Sequence, residues 1–152
     1  MKIDSLNWNI LKCLQKNARL SNAEIGRTVG ISSPAVSERI KKMEDAGLIH
    51  GYKTVVSPFA AGYQLKAIIT IRAFMGKLKP FLDKVKSFDE VLNCYRITGN
   101  ENIVLEVILK NQMHLEEFID QLIIYGETKT QIVLSHVTAN SEIKPLGRDS
   151  KK

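Results

Sequence analysis

At 152 residues, with 44% hydrophobic and 25% charged side chains, the chain has room for one domain or two small ones and the composition of an ordinary soluble globular protein. Two cysteines, Cys13 and Cys94, make no disulfide framework, no apolar run reaches the roughly 18 residues of a membrane span, and the start MKIDSLNWN lacks the pattern of a signal peptide. A cytoplasmic protein without a membrane partner is expected. The net charge of +6 is unevenly placed: Met1 to Ala60 holds nine Lys/Arg against five Asp/Glu, Ala61 to Ile143 nine against ten, and Lys144 to Lys152 four against one. Basic charge at the two ends suits a polyanion-binding surface.

Asp4 can cap a first helix running to about Lys16, with Leu6, Ile10, Leu11 and Leu14 inward and Trp8 and Cys13 off that stripe. A second helix starts at Ser21, which with Glu24 forms a capping box, while Leu20 and Ile25 staple its entry. Gly30 ends it, because glycine takes the left-handed conformation without a side-chain clash. Ser32 and Ser33 compete to cap a third helix that has Pro34 in its first turn and runs to Gly47. Its apolar residues Val36, Ile40 and Met43 share one face, and Pro34, Glu38, Lys41, Lys42 and Asp45 fall opposite, with Arg39 on the flank. Two short helices joined by a glycine turn, the second polar on its outer side, have the geometry of a helix-turn-helix; a piece of a helical bundle has the same pattern.

Beyond Gly47, the β-branched and aromatic residues of LIHGYKTVVSP predict a short strand, which turns the three helices into a winged unit, and Lys53 lies within it. Ser57, Pro58 and Gly62 mark a boundary. Past it, Lys66 to Phe74 reads as a strand, Leu78, Phe81, Leu82 and Val85 as a helical stripe, and Val91 to Ile97 and Ile103 to Leu109 as strands joined by a hairpin. Leu115, Phe118, Ile119, Leu122 and Ile123 form a second stripe, and Gln131 to Val137 reads as a fourth strand. The order βαββαβ predicts a ferredoxin-like domain with both helices on one sheet face. The other face would carry Ile68, Phe74, Val104 and Ile108, with Arg72 and Glu106 paired across it, and an apolar face left bare predicts a dimer. The fold class is therefore α+β, with a helix-turn-helix domain over 1–50, a wing and linker over 51–64, a ferredoxin-like domain over 65–140 and a loose basic tail over 141–152.

These residues carry a family resemblance. The stretches IDSLNWNILKCLQKNARLSNAEIG and ISSPAVSERIKKMEDAGLIHGY, the V-S-P-x-x-x-G-Y that follows, and the Gly99-Asn100-Glu101-Asn102 hairpin resemble the Lrp/AsnC, or feast/famine, transcription regulators from Ile3 to about Ala139. The resemblance implies a DNA-binding head and an effector domain of the RAM type. It also implies dimers that build tetramers or octamers, with a small ligand, usually an amino acid, between dimers. Thr98, Gly99, Asn100 and Asn102 would then form the effector site, with no other cofactor. Two departures stand out. Asn7 replaces a frequent acid and is expected to alter only a local cap. The hairpin lacks the family's Gly-Asp-x-Asp, so Asn100 and Asn102 offer a ligand's ammonium neutral acceptors where a carboxylate would be stronger. The same loop is also simply a good hairpin turn.

For DNA, the groove-facing set is Ser33, Pro34, Ser37, Glu38, Lys41 and Lys42, with Arg39 and Arg27 nearer the phosphates. Lysines and arginines gain affinity by releasing counterions, whereas sequence is read through base edges, for which Ser33, Ser37 and Glu38 are the candidates. His50, His114 and His136 are scattered without a metal-ligand spacing, and no phosphate loop or nucleophile elbow occurs. The expectation is a sequence-specific transcription regulator and not an enzyme. The alternatives are an effector-independent architectural DNA-binding protein and, because one branch of the family resembles sirohaem decarboxylases, an enzyme on the same fold.

Overall fold

A computed structural model of the chain describes residues 3–146. The chain divides between Thr54 and Val55 into two compact units, the first also taking in the described residues from Thr138 to Leu146.

In the first unit the cap signals act where their chemistry places them. α1 (Ser5–Lys16), α2 (Asn22–Val29) and α3 (Ser33–Asp45) follow one another. The Asp4 carboxylate accepts the Asn7 amide at 2.7 Å. Ser21 and Glu24 close the reciprocal capping box, the Ser21 amide donating to the Glu24 carboxylate at 2.7 Å and the Glu24 amide to Ser21 Oγ at 3.2 Å. Of the two competing serines, Ser32 is the cap of α3, accepting from the Ala35 amide. α3 stops at Asp45. Gly47, at φ 66°, then sends its amide to Glu44 O while the Leu48 amide returns to Met43 O, which satisfies the last carbonyls of the helix. Ile10, Ile25, Val36 and Met43 are wholly buried, with Trp8, Leu20 and Ile40 packed against them. Trp8 shelters this core.

Gly26 sets how closely the helices meet, and no periodicity pointed to it. A Cβ built there would lie 2.5 Å from Ile31 O, and Gly26 O accepts the amides of both Gly30 and Ile31, at 2.8 and 3.0 Å. The turn is stitched onto a position that tolerates only hydrogen.

Two expectations for this unit fail. Residues 49–57 form no strand, so the wing is an extended segment with no partner strand among the described residues, and Tyr52, Val55 and Val56 stay exposed. β-Branched composition favours a strand only where a neighbour supplies the ladder. Nor is the tail loose throughout: both backbone groups of Ile143 bond the Gln15 amide, at 2.7 and 3.1 Å. Arg148, Lys151 and Lys152 of that tail lie outside the described residues.

The second unit contains β1 (Leu65–Ala73), α4 (Leu78–Lys84) with a 3-10 turn after it, β2 (Val91–Arg96), β3 (Ile103–Leu109), α5 (Gln112–Leu122) and β4 (Gly126–Ile132). The sheet is antiparallel in the order β2-β3-β1-β4, the ferredoxin-like arrangement. Ala67, Ile69, Ile71, Leu105 and Val107 point from the sheet into a core closed by Phe81, Phe118 and Leu122. Phe88 and Phe118 meet edge to face at 5.3 Å.

The fourth strand begins five residues earlier than expected. The apolar run Gln131 to Val137 looks strand-like, yet the sheet takes GETKTQI, since an edge strand with one open face needs little apolar surface. Gly126 fits because a Cβ there would strike the Arg72 carbonyl and lie 2.8 Å from Ile71 Cγ2. Leu134 and Val137 are left exposed. The shift also repairs the open face: Arg72 pairs with Glu127 on β4 at 2.6 Å, not with Glu106. Glu106 instead takes Lys66 as its ion partner and accepts from Asn93 at 2.6 Å. Lys66 and Asn93 together hold the Glu106 carboxyl below the usual carboxylate range.

Candidate nucleic-acid interface

α3 turns Val36 and Met43 into the core, and the 100° step between residues then carries Pro34, Ser37, Glu38, Lys41 and Lys42 to the solvent side, where all five are exposed. Ser33 is half-buried. Glu38 and Lys42 pair one helical turn apart at 2.5 Å, with side chains 67% and 64% exposed, and this pairing lowers the Glu38 carboxyl from its ordinary value. An ion pair this open is weak and readily exchanged. Among the described residues Lys41 has no ion-pair partner, so its ammonium is free, and Arg27 at the end of α2 is exposed in the same way.

Arg39, expected nearer the phosphates, is engaged within the fold. Its Nη1 reaches back to α1 and donates to Asp4 Oδ2 and Asn7 Oδ1, both at 2.8 Å. The Asn7 amide first and Arg39 second hold the Asp4 carboxyl below its usual value. Asn7 is more than the local cap expected of it: 7% exposed, it joins Asp4 to Arg39. The phenol of Tyr52 donates to Glu44 at 2.8 Å; partial burial and that carboxylate push the Tyr52 hydroxyl up to about 12.

In the second unit the hairpin between β2 and β3 divides into two parts. Thr98, Gly99 and Asn100 are exposed, Gly99 at φ 116°. Asn102 is half-buried and committed: its Oδ1 accepts the Ala73 amide at 3.1 Å, its amide donates to Ile71 O at 3.1 Å, and its carbonyl accepts from Ile97 at 3.0 Å. The side-chain oxygen expected to meet a ligand's ammonium therefore ties the hairpin to β1. At the same end of the sheet, Phe74 donates its amide to Tyr125 O, and Phe74, Met75, Ile123 and Ile124 stand exposed around it.

Elsewhere, His114 bonds Glu90 at 3.0 Å and takes the Lys110 amide on its other nitrogen, and His136 contacts Lys66 at 2.9 Å. No group of three or more metal-ligating side chains occurs among the described residues, and none of their helices is long and apolar enough to cross a membrane. Cys13 and Cys94 are half-buried free thiols, and burial raises that of Cys94.

A helix-turn-helix with a polar, partly cationic outer face, followed in the chain by a ferredoxin-like unit, defines a two-part DNA-binding regulator with a sensing or assembly module. Comparison with known proteins gives the same class. Residues 3–50 match the winged helix-turn-helix DNA-binding family and residues 66–143 the Lrp/AsnC ligand binding domain. The HTH-type transcriptional regulator LrpB of Bacillus subtilis is 32% identical over 139 residues, 90% of this chain and 92% of that protein. AsnC of E. coli superposes with a TM-score of 0.82 at 33% identity, covering 91% of this chain and 97% of the other. The transcriptional regulator NMB0573 of Neisseria meningitidis, solved with L-Met, gives 0.89 at 26% identity, covering 94% and 97%. The chain belongs to the Lrp/AsnC family of transcriptional regulators.

Proposed function

We propose that the protein is a non-enzymatic regulator that grips double-stranded DNA with the exposed face of α3, its ferredoxin-like unit supplying self-association and an effector site. The observation that carries the reading is the placement of Ser37, Lys41 and Lys42 opposite the side that Val36 and Met43 bury. Serines and an adjustable Glu38–Lys42 pair offer donors and acceptors to base edges, while Lys41 and Arg27 offer charge to phosphates.

Self-association is supported by the open sheet face. Half-buried Ile68, Thr70 and Val104, with buried Ile108 beside them, lie on the side that neither α4 nor α5 covers, and the Thr70 hydroxyl is enclosed with no hydrogen-bond partner among the described residues. A second copy packed there would form a dimer, and dimers joined through other surfaces would form the larger assemblies. An amino acid is the effector class favoured by the L-Met complex of the meningococcal relative. Exposed Asn100 and backbone groups of Thr98 and Gly99 remain to bind one. A second reading, an architectural DNA-binding protein without an effector, is favoured by Asn102, whose acceptor is already used inside the fold.

Gel-shift titration over a range of salt tests the DNA face. Replacing Lys41 and Lys42 together by alanine should weaken binding to every duplex and flatten the salt dependence by up to about two units. Affinity unchanged at all salt concentrations would refute the assignment.

A further inference from the structure

Resting on the DNA-binding reading, we infer that Arg39 is a positioning residue for recognition and not a phosphate contact. Its link to Asp4 and Asn7 fixes how α3 is rotated and seated, and so which of Ser37, Glu38 and Lys41 meets a given base. Three observations combine. Arg39 is on the recognition helix, yet its Nη1 donates to two acceptors at the start of α1, 35 and 32 residues earlier in the chain, both at 2.8 Å. One of these acceptors, Asn7, is the one buried polar residue in the described structure, so removing Arg39 would strand its carbonyl without a partner. The other, Asp4, already caps α1 through the Asn7 amide, so the same carboxylate fixes the helix end and the guanidinium.

The remaining anchors of α3 are apolar side chains, its caps and the exposed Tyr52–Glu44 hydrogen bond, which ties the last turn of the helix to the segment that follows it and not to α1 or α2. Apolar contacts resist separation but define rotation about the helix axis poorly, whereas a planar guanidinium held by two oxygens is directional. Because the two partners are one carboxylate and one neutral amide, the cluster of Arg39, Asp4 and Asn7 carries no net charge. It places no surplus anion beside a surface meant for phosphates. An aspartate in place of Asn7 would leave one.

The test uses the full chain and duplexes that it enriches from a randomised library, against a scrambled duplex of equal length and composition. Arg39→Lys keeps the charge but not the planar group whose Nη1 serves both oxygens. Its ratio of selected to scrambled affinity should fall about tenfold, with scrambled binding and salt slope unchanged. Asp4→Asn keeps a capping side chain and removes a negative charge. Charge alone would tighten binding to both duplexes equally, whereas loss of positioning lowers their ratio. This exposed substitution keeps the test decisive if changes at Arg39 unfold the unit. Wild-type ratios in both variants overturn the proposal, and so does a salt slope lowered by about one in Arg39→Gln, since that marks a phosphate contact. A wild-type chain that binds no duplex overturns the DNA-binding reading itself, whereas one that binds duplex but enriches no sequence leaves that reading standing and overturns the proposal.

Discussion

Gly26→Ala is the substitution for which local propensity and tertiary packing predict opposite signs. Glycine inside a helix is less favourable than alanine by about 1 kcal/mol, so the isolated α2 would gain that much. In the folded unit the added methyl lies 2.5 Å from Ile31 O, a backbone atom in the turn before α3 that cannot rotate away. Overpacking a tight contact costs about 1–3 kcal/mol, and here relief also requires lengthening the Gly30 and Ile31 amide bonds to Gly26 O. The net expectation is destabilisation by about 1–2 kcal/mol, which for a unit of this size lowers the melting temperature by roughly 4–16 °C. Trp8 is the single tryptophan and packs on the helical core, so its fluorescence follows this unit alone. A melting temperature equal to or above wild type would show that α2 and α3 are not held as closely as described.

Glu38→Gln should release Lys42 and remove a negative charge from the outer face of α3, strengthening binding to non-specific duplex in a gel shift and steepening its salt dependence; weaker non-specific binding would contradict the placement of this face. Asn102→Ala should strand the Ala73 amide and destabilise the second unit by about 1 kcal/mol, while Asn102→Asp keeps the acceptor and stays near wild type in chemical denaturation; equal losses would refute the scaffold role. Tyr52 has its ionisation raised from 10 to about 12 in the folded state, so its contribution to stability is complete below pH 10 and is lost as pH climbs through 12. The wild-type minus Tyr52→Phe difference in an ultraviolet pH titration should therefore show one phenol ionising near 12, and one ionising near 10 would break the contact with Glu44. Glu24, Glu38 and Asp4 are shifted the other way, so what they add is present above their unfolded values near 4 and fades on acidification.

Features written in consecutive residues were legible in the sequence. Asp4, Ser21 and Glu24 act across three positions, Gly30 and Gly47 close their helices locally, and the alternation through Ile69 and Ile71 follows from the pleat of a single strand. What could not be read depends on partners far along the chain. The bonds of Arg39 to Asp4 and Asn7 could not be read because these acceptors lie more than thirty residues away. The last strand was placed on the apolar residues after Gln131 because periodicity ranks hydrophobicity above edge position. Only the closeness of Gly126 to β1 reveals the register. The wing was read from composition, which says nothing about whether a neighbouring strand exists. The bond that Asn102 accepts from Ala73 could not be read because that amide belongs to a different strand. Gly26 carried a usable signal: a glycine in the middle of an eight-residue helix costs stability, so close backbone approach is its natural explanation.

Lysine reactivity in the presence of DNA reports which face of the protein meets the duplex. With the full chain acetylated with and without saturating duplex and read by mass spectrometry, Lys41 and Lys42 should be protected, while Lys79 and Lys84 of the ferredoxin-like unit keep their reactivity. Protection confined to lysines outside α3, with Lys41 and Lys42 as reactive as in free protein, would contradict the assignment of that face to DNA.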